Sequence, residues 1–236
     1  IAVAAVAFDP VGMPSTATIR TAATVMPAGR GVVEVERQPA FIPSSSRTAD
    51  GRTVNADTLM MDDYCLRCHQ DAYKSWFHSA HHYSSFNNPP YLASVRETRA
   101  VAVSRDGNTQ AVKWCAGCHD PVPLLSGALD DPQYDDVRHP TAHAGITCTV
   151  CHAVSEVHTL AGNGGYTLEE PHHYPFARSQ SEVLQWVNAQ LVKSKPDFHK
   201  RSFLKPVHRS AEFCSTCHKV SIPPEVNHYK DFLRGQ

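Results

Sequence analysis

Long apolar runs are absent from this 236-residue chain, the longest being Ile1 to Phe8. That falls well short of the ~20 residues that span a bilayer, so no segment reads as a transmembrane span. The run reads equally well as the tail of a removed signal or anchor segment and as an ordinary apolar stretch, since the chain begins with Ile and not Met. Neither sign of charge dominates: 22 Lys and Arg against 23 Asp and Glu leave a formal net charge of −1. A nucleic-acid binder needs a basic field to neutralise phosphates, and this balance argues against one. Aromatic residues are few, at 8%, and 17 prolines with 12 glycines disfavour long uninterrupted helices. Cysteine and histidine are missing altogether from residues 1–60.

That last absence divides the chain. Residues 1–60, with Pro10, Pro14, Pro27, Pro39 and Pro43 among Thr, Ser, Ala and Gly, read as a Pro-rich extended N-terminal arm or linker, with one short strand at Val32 to Val35. Residues 61–236 read as the chemical domain, mainly α with much irregular loop and little β. Asp62 or Asp63 can cap a helix running to about Ser84, where Asn87-Asn88-Pro89-Pro90 stops it. Residues 91–100 look weakly helical, 101–113 read as a hairpin around Asp106-Gly107, and 120–176 as mostly loop. Ser179-x-x-Glu182 is a capping-box pattern, followed by an apolar stripe at Val183, Trp186, Val187 and Leu191 that ends at Pro196. The stripe is expected to face the core.

All eight cysteines fall into four pairs, each followed directly by His: Cys65, Cys68 and His69; Cys115, Cys118 and His119; Cys148, Cys151 and His152; Cys214, Cys217 and His218. Histidine makes up roughly 6% of the chain, so chance alone gives this coincidence on the order of one time in 100,000. A disulfide framework needs no His at a fixed offset. Zinc sites can be drawn from the same residues but do not require His immediately after the pair. C-x-x-C-H is the c-type haem attachment signature. Each thiol forms a thioether with a porphyrin vinyl group, and the adjacent imidazole takes one axial position on iron. Four c-type haems follow, at about 59 residues each, and the porphyrins themselves supply much of the core. The motifs are 50, 33 and 66 residues apart, too irregular for a structural repeat.

Eleven histidines remain as candidates for the sixth iron ligands. The methionines are weak competitors, since Met13 and Met26 lie in the arm and Met60 and Met61 just before the first motif. Bis-His ligation and low potential are expected. His81 follows His69 by twelve residues, about 18 Å along a continuous helix, so it should serve a different haem. His78 is its alternative, because His78 and His82 share a helical face from which His81 is rotated by about 60°. His143 and His208 lie five and six residues before their motifs and are tethered near a haem. His173 is the fourth choice, with His199 and His228 in reserve. Arg67, Arg96, Arg138 and Lys219 are candidates to neutralise haem propionates, which take the net charge from −1 to about −5.

Several segments resemble the multihaem cytochromes c related to hydroxylamine oxidoreductase and pentahaem nitrite reductase, especially their tetrahaem electron-transfer members. They are Trp76-x-x-Ser79-x-His81, Trp114-Cys115-Ala116-Gly117-Cys118-His119-Asp120-Pro121, His143-Ala144-Gly145-Ile146-Thr147-Cys148 and Glu212-Phe213-Cys214. The resemblance covers roughly residues 62–236 and implies distal-ligand roles for His81 and His143, stacked haem pairs, and export from the cytoplasm. The chain departs from the family in having no C-x-x-C-K motif. Where a Gly-Pro-Gly often follows one family motif it has Ala153-Val154-Ser155, which weakens the case for His158.

The expected function is electron transfer through four closely spaced, mostly bis-His haems, in the periplasm or outside the cell, with redox proteins as partners. Two alternatives stand beside it. One is a subunit of a polymeric cytochrome filament or larger assembly. The other is a haem enzyme with one open iron acting on nitrite- or hydroxylamine-like species. The larger family members continue into further motifs, so this chain also reads as a possible piece of a longer cytochrome.

Overall fold

The computed structural model describes residues 39–220, together with two short strands nearer the N-terminus. Those strands, β1 (Ala7–Phe8) and β2 (Pro14–Ser15), pair antiparallel with Ala7 opposite Ser15. They fall in a separate compact unit, residues 1–34. The strand expected at Val32 to Val35 lies outside the described residues.

The larger unit is mainly helical with little strand. Its helices are α1 (Ala56–Leu59), α2 (Asp62–Leu66), α3 (Gln70–Phe77), α4 (Pro89–Asp106), α5 (Lys113–His119), α6 (Pro121–Leu125), α7 (Cys148–Ala153), α8 (Glu182–Ser194), α9 (Pro196–Phe203) and α10 (Ala211–His218). A three-stranded sheet has β5 (Tyr166–Leu168) at its centre. It is flanked by β3 (Arg47–Thr48), parallel, and β4 (Val154–Val157), antiparallel.

Residues 39–60, placed by sequence in the extended arm, instead pack into this unit. Phe41 and Leu59 are fully buried, and Val54 donates its N–H to the Leu125 carbonyl at 2.9 Å. Scattered apolar side chains, not periodicity, anchor this segment, and so it reads as linker. The core they join includes Val95, Val112, Val122, Leu124, Leu125 and Leu129, contributed by α4 to α6 and the turns between them.

Local signals set the element ends, sometimes differently from expectation. The helix expected over 62–84 is broken into α2, α3 and a 3-10 turn at His82–Ser84, because the first motif sits at the break between α2 and α3. The expected hairpin at 101–113 is instead the last turns of α4, a 3-10 turn at Gln110–Val112 and the first residue of α5. Asn88 caps α4 with Pro89 and Pro90 in its first turn, and Gly107 closes it at φ 69°. Asp106-Gly107 is thus a helix stop and not a hairpin turn. The 120–176 stretch holds α6, α7 and two strands as well as loop. The capping box does not form: α8 starts at Glu182 behind Ser181, while the Ser179 hydroxyl accepts from the Ser181 N–H at 3.2 Å. Pro196 ends nothing by itself; it occupies the first turn of α9.

Candidate haem-binding site

Each motif rides on a short helix that ends at or near its histidine. Cys65 is in α2, with Cys68 and His69 in the turn that leads to α3. The second motif closes α5, the third fills most of α7, and the fourth closes α10. Side-chain caps set two of these helices. Thr147 Oγ1 accepts from the Val150 N–H at 3.0 Å, and Ser210 Oγ accepts from the Phe213 N–H at 3.3 Å. The geometry holds a pair of thiols about one helical turn apart with the imidazole at the helix end. All eight cysteines are free, with no disulfide among them.

Three of the four motifs open onto one cavity of about 850 Å³. Its wall carries the cysteines and histidine of the first, third and fourth motifs, joined by Cys118 of the second. Protein interiors are packed like organic crystals, with few voids larger than a water molecule. A cavity of this volume, bounded by attachment residues, therefore suits bulky prosthetic groups.

The motifs also touch one another. The Cys65 and Cys148 thiols hydrogen-bond, which lowers the pKa of Cys65 and raises that of Cys148. Cys118 and Cys217 form a second such pair, with Cys118 raised and Cys217 lowered. Burial pushes Cys151 up to about 11, with smaller contributions from the Cys217 and Cys214 charges. Thiol contacts thus join motif one to three and four to two, while three and four are linked by a charge interaction.

Three of the motif histidines face a second imidazole. The His69 and His199 ring centroids are 6.1 Å apart with planes at 9°, and His81 and His218 are 6.1 Å apart at 69°. His152 and His208 are 5.2 Å apart at 81°. A first-row metal–imidazole bond of about 2.0–2.1 Å, plus roughly 1.1 Å from nitrogen to ring centre, puts two trans imidazoles about 6.2 Å apart. Two of the separations match this closely, and the third is shorter.

His208, opposite His152, has both ring nitrogens buried without a hydrogen bond; His173 Nε2 and Trp114 Nε1 are likewise unpartnered but lie off the cavity wall. Burial lowers the pKa values of His173, His199 and His208, which favours the neutral imidazole that a metal needs. His119 Nδ1 donates to the Ser84 carbonyl at 2.9 Å and His152 Nδ1 to the Phe203 carbonyl at 2.8 Å. A carbonyl can only accept, so the proton is on Nδ1 and the Nε2 lone pair is free for iron. Arg67 lines the cavity, as expected of a propionate partner, and Lys193 and Lys200 join it. Arg96 is instead committed to Asp136, at 3.0 and 2.6 Å.

Of the expected distal ligands, His81 and His208 each stand opposite a motif histidine. His143 is exposed and makes no ring contact with one, and His173 packs against Tyr64 and Phe203. His78 is exposed at the end of α3 beside Phe77, and His228 lies outside the described residues. His158 is held at both nitrogens, by the Ser45 carbonyl at 2.9 Å and Thr167 Oγ1 at 3.2 Å, which leaves it no free lone pair. Ile146, rather than His143, does the work of its segment. It donates its N–H to the His81 carbonyl at 2.9 Å and accepts from Trp76 Nε1 at 2.8 Å. Gly145, at φ 62°, allows this approach, since a Cβ there would collide with the His81 and His82 carbonyls.

The second motif differs from the other three. His119 is stacked on Tyr91 at 4.4 Å and 14°, with no imidazole opposite it among the described residues. Asp120 is fully buried beneath it; burial pushes its pKa up to about 7, against hydrogen bonds from Ser85 and Tyr91. Nothing in the sequence marks Tyr91, which lies in a segment legible only as weakly helical.

Among the described residues no group of three or more His, Cys, Asp or Glu side chains is gathered as a metal-ion site. No helix among them is long and apolar enough to cross a membrane. No curated protein and no solved structure matches the chain. Residues 64–153, which contain the first three motifs, match the family model described as cytochrome c554 and c-prime, and this supports a multihaem c-type cytochrome that carries electrons.

Proposed function

We propose that the chain is a four-haem c-type cytochrome whose irons relay single electrons. It is a tetrahaem relative of the hydroxylamine oxidoreductase and nitrite reductase cytochromes, working outside the cytoplasm with redox proteins as partners. The observation that carries this reading is the shared cavity, which brings attachment residues of all four motifs to one wall. Bound there, the haems supply the one-electron chemistry. The chain's own residues do the rest. Eight cysteines would anchor the haems and four motif histidines would ligate them, with His81 and His208 as second ligands at the fourth and third motifs. Arg67, Lys193 and Lys200 neutralise propionate charge, and the carbonyls of Ser84 and Phe203 fix the tautomers of His119 and His152. The two thiol contacts, with the charge interaction between motifs three and four, support an electron path in the order one, three, four, two. Exposing the reduced protein to carbon monoxide tests the ligation: the third and fourth irons should stay unreactive. A response from three or more of the four haems would overturn it.

A second reading is supported by His119, which stacks on Tyr91 and has no imidazole opposite it among the described residues: the second iron would be the open one and would take a small nitrogenous ligand. Carbon monoxide uptake of one per molecule, lost in a Cys115→Ser/Cys118→Ser variant, supports it. No uptake at all counts against it.

A further inference from the structure

Opposite the first-motif histidine the structure sets His199, which the sequence held only in reserve. His173 lies outside the cavity wall and its ring contacts are to Tyr64 and Phe203, while His143 is exposed. We propose that His199, on α9, is the sixth ligand of the first-motif iron, on the porphyrin face opposite His69. This rests on the haem reading above.

Three observations converge on it. His199 and His69 both line the cavity. Their rings lie 6.1 Å apart and nearly parallel, at the separation about 6.2 Å expected of two imidazoles on one metal. Among the described residues neither ring is held by a hydrogen bond, so both are free to coordinate.

The position of α9 gives the ligand a second consequence. His199 and Phe203 are one turn apart on the same face of this helix, with ring centroids 5.1 Å apart. The Phe203 carbonyl is the acceptor that orients His152 of the third motif. One eight-residue helix therefore ligates the first iron and sets the ring of the third. A shift of α9 would change both haems together.

The test uses holoprotein carrying its full haem complement. His199→Ala should retain four covalent haems but show one more high-spin, carbon monoxide-reactive haem than the unmodified protein, by electron paramagnetic resonance and by the difference spectrum. Added imidazole should restore the low-spin signal. His199→Met should stay low-spin with a raised potential at one haem, and this variant also decides the matter if the alanine variant does not accumulate. His173→Ala should leave spin states unchanged. An unaltered spin-state count in His199→Ala, an unaltered potential in His199→Met, or a gain of high-spin haem in His173→Ala, would overturn the assignment while leaving the four-haem reading intact. Fewer than four haems in the unmodified protein would instead strike at that parent reading.

Discussion

The two sides of the larger unit are built on different principles. Around α4 to α6 the polypeptide makes its own interior: Val95, Val112, Val122, Leu124 and Leu125 are buried almost completely, and even the lysine there, Lys113, is ion-paired with Asp130. Around α2, α3 and α7 to α10 the protein forms a wall around a cavity instead. The apolar stripe of α8 shows the contrast. Val183 and Trp186 were expected in a core, yet they are 70% and 64% exposed, while Gln185, Asn188, Ala189 and Val192 face the cavity. On the proposed haem reading α8 would meet the porphyrin through Ala189 and Val192 and leave Val183 and Trp186 to solvent. One side is thus held by side chains, the other by what those side chains enclose.

The largest expected effect follows from removing that enclosed material. In haem-free chain, hydrogen exchange should show α8, α9 and α10 losing protection while α4, α5 and α6 keep theirs. Uniform protection across both sides would break the comparison. Next in size, Leu124→Ala on the self-packed side should cost about 2–5 kcal/mol in denaturant unfolding of the holoprotein. Trp186→Ser on the other side should change stability by no more than about 0.5 kcal/mol. Similar costs at both positions would contradict the assignment of core and wall.

The smallest expected effect concerns His158, which pins the Ser45 segment to the sheet away from the iron ligands. Burial depresses its pKa below the ordinary value of 6.5. The unfolded chain therefore takes up a proton near pH 6.5 that the folded chain refuses, so stability is full above that pH and falls below it. His158→Gln should flatten this acid limb in unfolding titrations between about pH 6.5 and 5. An unchanged slope would remove His158 from the account.

What the sequence made legible is the chemistry that is local in the chain. The four attachment motifs, the break at Asn87-Asn88-Pro89-Pro90 and the general helical character all depend on residues within a turn or two of each other. Distal ligands do not. His199 and His173 are equally plausible as letters, and only the way α9 folds back against the third motif sets one of them opposite His69. The burial of residues 39–60 was hidden for the same reason, because Phe41 and Leu59 find their partners far along the chain. The glycine at 145 looked like an attachment-motif flank, and its role is steric, making room for the His81 and His82 carbonyls.

The central claim is that four iron porphyrins are covalently part of this molecule and complete its cavity side. The most direct measurement is the intact mass of the chain purified from a host that attaches c-type haem, paired with a pyridine haemochrome spectrum of the same sample. The account expects a mass increment of four haems that survives denaturation. The bare polypeptide mass, or an increment of fewer than four, would contradict it.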